Sequence, residues 1–126
     1  MLQPKAYSKE KQKVYDVKYI DFDNETLELL TEQQFDFYAH VYDFDEVEFM
    51  ENTGLKDKNG KYIYEGDIVT VNGNWDCIIE YKQSSCAFVL KSIDSRWSMG
   101  YFSNYDDIEE MLEVIGNIYE NKELVE

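Results

Sequence analysis

The chain has little of several residue types on which common catalytic and metal sites depend. Its 126 residues include two cysteines, one histidine and one proline. Cys77 and Cys86 form no C-x-x-C motif, which argues against a zinc site or a redox dithiol; a disulfide would require their strands to pair. Ser-His-Asp or Cys-His catalysis would have to use His40, which lies among strand-forming residues and is better interpreted as a structural or surface imidazole. No catalytic residue, metal or cofactor is predicted.

Long apolar runs and phosphate-binding loops are absent as well. No stretch approaches the roughly 20 apolar residues that a membrane span needs, so we expect no membrane contact and a cytoplasmic location. Gly54 and Gly60 are not followed by the Lys-Ser/Thr pair of a nucleotide-binding loop. Membrane proteins and the commonest nucleotide-binding proteins are therefore not expected.

Positive charge is scarce and unevenly placed. The formal net charge is −15, with 27 Asp and Glu against 12 Lys and Arg. Nucleic-acid binding depends on Lys and Arg replacing the counterions of phosphate, so direct nucleic-acid binding is not expected. Between Lys18 and Lys56 there is no Lys or Arg, while eleven acidic residues accumulate: Asp21, Asp23, Glu25, Glu28, Glu32, Asp36, Asp43, Asp45, Glu46, Glu48 and Glu51.

Aromatic and β-branched residues, in contrast, are abundant. Aromatics make up 16% of the sequence, and they suit the half-buried faces of strands. Residues 14–30 predict a strand, a turn and a second strand, and residues 31–34 have the spacing of a capping box. Residues 35–49 return to strand chemistry. The first half of the chain is therefore expected to be β-rich.

The second half carries sharper turn signals. Asn59-Gly60 and Asn72-Gly73 each supply two residues that tolerate positive φ, as the type I′ turn of a two-residue hairpin demands. Trp75–Tyr81 and Cys86–Leu90 are predicted strands. Trp75 and Trp97 could form a stacking platform for single-stranded nucleic acid, but the surrounding negative charge favours packing in the core.

Short strands separated by tight turns at this density favour a mainly β fold, either a small SH3-like barrel or a curled antiparallel sheet. Residues 1–50 are predicted to form an N-terminal β segment, a β-hairpin extension. Residues 51–126 are predicted to form the barrel core, and 1–126 as one continuous domain is the alternative.

The C-terminal region is predicted to hold one short helix and a last strand. Ser103 can cap a helix in which Ile108, Met111 and Leu112 have helical spacing. The last strand covers residues 113–120, and Gly116-Asn117 within it suggests a bulge.

Two segments together resemble the signature of the YopX family, small uncharacterised proteins of bacteria, phages and prophages. They are Thr53–Val69, which reads TGLKDKNGKYIYEGDIV, and Glu113–Asn121, which reads EVIGNIYEN. Pro4-Lys5-Ala6-Tyr7 departs from the family's usual opening. The resemblance implies a mostly β fold, a phage-like setting in a bacterial host, and no assigned catalytic residue. Turns and bulges account for the polar and glycine positions of the motif: Gly54, Asn59, Gly60, Gly66, Asp67, Gly116 and Asn117.

One group of carboxylates is a candidate interaction surface. It consists of Asp43, Asp45, Glu46, Glu48 and Glu51. A calcium loop of the EF-hand type would need a Gly at its sixth position and a Glu at its twelfth, and neither is present. Solvated strand edges are the better interpretation, because charged edges also block aggregation.

The leading functional hypothesis is a non-enzymatic protein that associates with itself or with a host or phage protein. The alternative is an acidic mimic of DNA that occupies the basic cleft of a nucleic-acid-binding host protein, in a salt-sensitive manner. An enzyme or a small-ligand barrel is a third class, which a deep pocket containing His40 or a buried carboxylate would favour.

Overall fold

The computed structural model describes residues 3–31, 41–93, 98–101 and 107–125. The chain divides into two compact units, Met1–Glu51 (unit 1) and Asn52–Glu126 (unit 2). The predictions for His40, for most of the capping box at 31–34, for Trp97 and for the Ser103 cap lie outside the described residues. No helix of the described ranges is long and apolar enough to cross a membrane.

Unit 1 contains five strands in its described residues: β1 (Lys5–Ser8), β2 (Lys13–Asp21), β3 (Thr26–Leu30), β4 (Val41–Asp43) and β5 (Val47–Met50). They form one antiparallel sheet with the order β4-β3-β2-β1-β5. The sequence predicted only a β-hairpin extension here, whereas the structure has a five-stranded sheet. The pairing of β1 with β5, which sets Lys5 opposite Met50, joins distant parts of the chain and leaves no local pattern in the sequence.

A bulge in β2 decides which of its side chains reach the core. Val17 lies opposite Leu29 and Ile20 opposite Leu27, so the register shifts between Val17 and Tyr19. Val17 is consequently buried while Tyr19 faces solvent, which explains the imperfect alternation of this strand in the sequence. The buried core of unit 1 comprises Ala6, Val17, Leu27, Leu29, Tyr42 and Val47.

Unit 2 begins with a separate hairpin of β6 (Asn52–Lys56) and β7 (Tyr62–Tyr64). The remaining elements are β8 (Asp67–Val71), β9 (Trp75–Lys82), β10 (Ala87–Ser92), β11 (Ser98–Tyr101), the helix α1 (Ile108–Met111) and β12 (Leu112–Asn117). The sheet has the order β11-β10-β9-β8-β12. Its core comprises Ile63, Val69, Val71, Cys77, Ile79, Leu90, Ile108 and Leu112.

The two sheets have the same connectivity. In each, four strands follow one another as neighbours, and after a short helical turn the fifth strand returns beside the first. Among the described residues no hydrogen-bonded ladder joins the two outer strands of either sheet, so neither is a closed barrel. The mainly β fold is confirmed in its curled-sheet form, together with the single short helix near the C-terminus.

The two Asn-Gly turns differ in type. Asn72 and Gly73 both have positive φ, 52° and 74°, and the Asn74 N–H donates to the Val71 carbonyl at 3.0 Å, as in a type I′ turn. At the other turn only Gly60 has positive φ, 82°. The hairpin predicted there is confirmed, but the predicted type I′ turn is wrong.

The turn at Gly60 is a longer loop because an aspartate side chain organises it. The Asp57 carboxylate accepts the N–H groups of Asn59 and Lys61, each at 2.9 Å. The Gly60 N–H donates to the Asp57 carbonyl at 3.0 Å. This arrangement has three loop residues with glycine as the left-handed one, which is the next commonest hairpin connection.

The prediction that Trp75 packs in the core is wrong. Trp75 pairs with Val71 at the end of the β8–β9 ladder, next to the tight turn, and its side chain is more than half exposed. A residue at the rim of a sheet has no neighbouring layer beyond it, so strand propensity alone does not bury it.

The two cysteines are not joined in a disulfide and lie in different environments. Cys77 lies in β9 opposite Ser92 and is buried, whereas Cys86 lies in the exposed turn before β10. Burial, with a smaller contribution from the Asp76 charge, raises the pKa of Cys77 to about 11. Because the thiolate is the reactive form, Cys77 is protected both sterically and electrostatically.

We expect a thiol-specific maleimide to modify Cys86 in the native protein and to leave Cys77 intact until denaturant is added. Peptide mass mapping after brief labelling at neutral pH measures this. The Cys86→Ser variant is the control, since only Cys77 remains. Native-state labelling of that variant at the wild-type rate would contradict the buried position of Cys77.

Candidate functional site

The carboxylates of the predicted acidic surface are all exposed in unit 1. Asp43 ends β4, Asp45 and Glu46 lie in a short 3₁₀ turn, Glu48 lies in β5, and Glu51 follows it. One carboxylate oxygen from each of Asp43, Asp45 and Glu46 lies within 4.8 Å of the others. The structure therefore gathers three of the five residues into one cluster.

Backbone contacts hold this cluster in place. The Asp43 N–H donates to the Glu46 carboxylate at 2.9 Å, which is the acidic half of a capping box. The N–H of Phe44 donates to the Glu25 carbonyl at 2.9 Å, so the 3₁₀ turn is joined to the turn between β2 and β3. Two hydrogen bonds therefore fix the backbone that carries the three carboxylates.

The three carboxylates are not assigned as a metal site. Calcium takes six to eight oxygen ligands, and one of the three groups, Glu46, already caps the turn. All three side chains are exposed to water. The three carboxylates create a local negative potential but do not supply the ligands that a calcium ion needs.

Lys9 reaches part of the acidic surface. Its Nζ donates to the backbone carbonyl of Asp45 at 2.9 Å and lies 3.6 Å from a carboxylate oxygen of Glu48. In the described part of the chain, no Lys or Arg forms an ion pair with the carboxylates of Asp43, Asp45 or Glu46. Lys9 therefore places a positive charge next to the cluster without forming an ion pair with its three carboxylates.

A row of phenylalanines lies beside the cluster. The Phe22 and Phe44 rings pack edge to face with centroids 6.1 Å apart, and Phe44 packs in the same way on Phe49 at 5.4 Å. Phe44 and Phe49 pack against the core, whereas the Phe22 side chain is 75% exposed. We call Phe22, Phe44, Asp43, Asp45 and Glu46 the aromatic–acidic patch.

A shallow depression adjoins this patch. It has a volume of about 280 Å³ and is lined by Asn24, Glu25, Asp43, Phe44 and Asp45. Phe44 and the two aspartates belong both to the depression and to the patch, so the two form one continuous surface. Its lining residues supply side-chain oxygen atoms and one aromatic ring, that of Phe44.

The turn that carries Phe22 is ordered by Asp21. Its carboxylate accepts the Asn24 side-chain amide at 2.7 Å and the backbone N–H groups of Asp23 and Asn24 at 3.1 and 3.2 Å. These bonds, that of the Asn24 side chain foremost, lower the pKa of Asp21. The exposed ring is therefore presented by a hydrogen-bonded turn.

A second apolar surface lies on the sheet of unit 1. Tyr19, Glu28 and Val41 are direct neighbours across β2, β3 and β4, and Leu30 follows two residues after Glu28 on the same face. Tyr19, Leu30 and Val41 are 51%, 52% and 50% exposed. We call these three side chains the sheet-face patch.

In unit 2, the polar residues of the predicted signature have structural partners. Asp57 is buried, and besides Asn59 and Lys61 its carboxylate accepts the Val114 N–H at 3.0 Å. The Lys58 N–H donates to the Leu112 carbonyl at 2.9 Å. The β6–β7 hairpin is thus fastened to β12 through one carboxylate and one backbone bond.

Gly66 lies in the turn between β7 and β8, and Asp67 is the first residue of β8. The Asp67 carboxylate accepts the Tyr64 N–H at 2.8 Å, and Asp67 is itself buried. The Gly66 N–H donates to Ile79 and its carbonyl accepts from Ile118, at 2.8 and 2.9 Å. Gly54, with φ of 85°, lies within β6, and its N–H donates to the Asn52 side chain at 2.8 Å.

Gly116 and Asn117 stand at the predicted bulge. The register of β12 on β8 shifts between Val114 and Gly116. The Asn117 side-chain oxygen accepts the N–H groups of Tyr119 and Glu120, and the Asn117 N–H donates to Asn121 Oδ1 at 3.1 Å. These residues turn the chain after β12.

Backbone N–H groups donate to each of the buried polar side chains of the described residues. Among the described residues, Ser8, Asp57, Asp67 and Asn117 are the buried polar ones, and each accepts at least one backbone N–H. Sequence reasoning missed the role of Asp57, for which the Asp-x-Asn-Gly spacing was a signal. It also missed Phe22, whose exposure has no local signal.

The chain matches a protein-family model and is similar in fold to a solved structure. The family model described as YopX protein matches residues 5–126. No curated protein matches the chain. A solved structure, the crystal structure of protein EF1440 from Enterococcus faecalis, is similar with a TM-score of 0.64 and 23% sequence identity, covering 98% of this chain and 97% of that one. At this identity the likeness concerns the fold alone.

Proposed function

The chain belongs to the YopX family, and we propose that it acts without catalysis, by binding a second copy of itself or a host or phage protein in the bacterial cytoplasm. The observation that carries this proposal is the sheet-face patch. Exposed apolar side chains are common singly on soluble proteins, but contiguous ones mark interaction surfaces. Tyr19, Leu30 and Val41 lie on three neighbouring strands around Glu28, whose side chain is only 13% exposed.

The geometry of the patch suits a flat contact. Strands in a sheet lie about 4.8 Å apart, so the path from Tyr19 on β2 to Val41 on β4 spans about 10 Å. Glu28 lies between them and pairs with Lys18 at 3.6 Å, which offsets its charge within the apolar surface. A partner can therefore cover this face without burying an unpaired carboxylate.

The test removes apolar area from the patch. We expect the double variant Tyr19→Ser, Val41→Thr to lose any oligomer that the wild-type protein forms and to retain less of any specific partner from bacterial lysate. Light scattering after size exclusion measures the first effect, and quantitative mass spectrometry of immobilised-protein eluates measures the second. Tyr62→Ser, which removes a partly exposed tyrosine of unit 2, is the matched control.

A strictly monomeric wild-type protein with no partner in the lysate would contradict the proposal. An equal loss in the Tyr62→Ser control would also contradict it, because binding would then not depend on the sheet-face patch. Retention of the partner by the double variant at the wild-type level would also contradict the proposal.

DNA mimicry is the second candidate, and the exposure of Asp43, Asp45, Glu46, Glu48 and Glu51 favours it. Lys9, however, sits between Asp45 and Glu48, which interrupts the acidic row. The lysate experiment separates the two candidates when elution is stepped in salt. A basic DNA-binding protein released at moderate salt from both wild type and double variant would favour mimicry, since surface charge pairs are screened by salt.

A further inference from the structure

We propose that the aromatic–acidic patch is a docking site for an extended, arginine-containing peptide segment of a partner protein. This inference rests on the proposed function, because it assigns the chemistry of a partner to a protein taken to act by binding. It concerns a different surface from the sheet-face patch, so the two can be tested separately.

The patch presents an accessible aromatic ring, that of Phe22. The Phe22 side chain is 75% exposed, and its ring is supported from one side by Phe44, which in turn packs on Phe49. A ring fixed in this way keeps its free surface for a ligand at little further cost in side-chain entropy. The planar guanidinium of arginine is the cation that stacks best on such a ring.

The patch also carries negative charge. The clustered carboxylates of Asp43, Asp45 and Glu46 lie within 4.8 Å of one another, and within the described ranges no Lys or Arg pairs with them. A guanidinium can bind two carboxylate oxygens at once through parallel N–H donors. Binding of an arginine here relieves repulsion among the carboxylates as well as forming new hydrogen bonds.

The depression beside the patch has a shape that suits a peptide side chain. The depression of about 280 Å³ shares Phe44 with the patch, and Asn24 and Glu25 form its other side. It is large enough for a side chain and too shallow to enclose a small-molecule ligand, whose sites are typically deep and mostly apolar. An extended segment that places one arginine at Phe22 and a neighbouring side chain in the depression fits this form.

The chemistry selects this occupant over others. Phosphate-bearing ligands and anionic membranes are repelled by the acidic cluster. A second copy of the chain is a poor source of arginine, because Arg96 is the single arginine of the sequence. A second copy also carries a formal net charge of −15, which disfavours its approach to an acidic surface, so we assign the cationic segment to a different protein.

The experiment measures binding of a fluorescein-labelled dodecapeptide in which three arginines alternate with leucine, proline and serine. We expect saturable binding that is weakened about tenfold by Phe22→Leu, which keeps an apolar side chain but removes the ring. The triple variant Asp43→Asn, Asp45→Asn, Glu46→Gln is expected to weaken it by at least about as much. Replacing the three arginines of the peptide by lysines is expected to weaken binding several-fold, and replacing them by glutamates to abolish it.

The control for overall charge is the triple variant Asp76→Asn, Glu110→Gln, Glu123→Gln. It removes three exposed carboxylates of unit 2, so its net charge equals that of the patch variant. We expect it to bind the arginine peptide like the wild type. Far-UV circular dichroism checks that each variant is folded.

Three results would overturn the proposal: no binding of the arginine peptide, equal weakening by the control triple variant, or unchanged binding by Phe22→Leu. Equal weakening would mean that the peptide responds only to total charge. In any of these cases the proposed function still stands if the sheet-face double variant loses its oligomer or partner. It fails on its own if the protein is monomeric and retains nothing from lysate, whatever the peptide does.

Discussion

The Asp57→Ala variant is expected to lose about 3 kcal/mol of the stability of unit 2. Asp57 is buried and accepts N–H groups from Asn59, Lys61 and Val114. Alanine leaves these three donors without their acceptor, and each buried donor left unpaired costs about 1–3 kcal/mol, reduced where water can enter. The bond to Val114 also joins the hairpin to β12, so its loss releases one element from another.

Urea unfolding followed by tryptophan fluorescence measures this effect, because both tryptophans, Trp75 and Trp97, belong to unit 2. Asp57→Asn is the conservative comparison. It keeps the shape but turns one acceptor into a donor that faces an N–H group, so about 1–3 kcal/mol should be lost. Asp76→Asn, at an exposed position of the same unit, is the control and should change stability by less than about 0.5 kcal/mol.

The same carboxylate makes an acid-dependent contribution to stability. Burial raises the pKa of Asp57, but the N–H bonds from Val114, Lys61 and Asn59, with the nearby Lys61 charge, outweigh it, and the pKa falls below its usual 3.8. A group with a lowered folded-state pKa stabilises fully above its unfolded value and loses this contribution as pH falls through the folded value. The difference in stability between wild type and Asp57→Asn should therefore shrink below about pH 4. A difference that stays constant down to pH 2 would contradict the assigned bonds.

Local sequence signals predicted the parts of the fold that local chemistry determines. The hairpin at Asn59-Gly60, the type I′ turn at Asn72-Gly73 and the bulge at Gly116 follow from which residues tolerate positive φ or interrupt a ladder. The turn type at Gly60 did not follow, because the side chain of Asp57 competes for the loop N–H groups. That competition depends on a buried aspartate, which propensity does not reveal.

Nonlocal contacts account for what the sequence did not predict. The five-stranded sheet of unit 1 depends on the pairing of β1 with β5, for which neither strand carries a signal of its partner. The aromatic–acidic patch likewise forms because Phe44, in the 3₁₀ turn, packs on Phe22 from the β2–β3 turn. The acidity of Asp43, Asp45 and Glu46 was evident in the sequence, whereas the aromatic ring beside them required the structure.

The Gly116→Ala variant is expected to lose about 2 kcal/mol, although it adds a single methyl group in β12, an outer strand of its sheet. A Cβ at this position would lie 2.6 Å from Asn121 Oδ1 and 2.8 Å from its Cγ. The Asn121 side chain must therefore move, and its hydrogen bond to the Asn117 N–H is lost with it. Overpacking in a well-packed site typically costs about 1–3 kcal/mol, and a lost hydrogen bond about 1 kcal/mol.

A double-mutant cycle with Asn121→Ala separates the clash from other effects of alanine at Gly116. Asn121→Ala alone removes the hydrogen bond, so it should destabilise by about 1 kcal/mol. In its background Gly116→Ala meets no amide, and its additional cost should fall to less than about 0.5 kcal/mol, giving a coupling energy of about 1.5 kcal/mol. Additive costs would instead mean that the backbone at Gly116 does not tolerate a Cβ. The family-like Gly-Asn pair would then reflect backbone conformation and not the packing of Asn121 over the bulge.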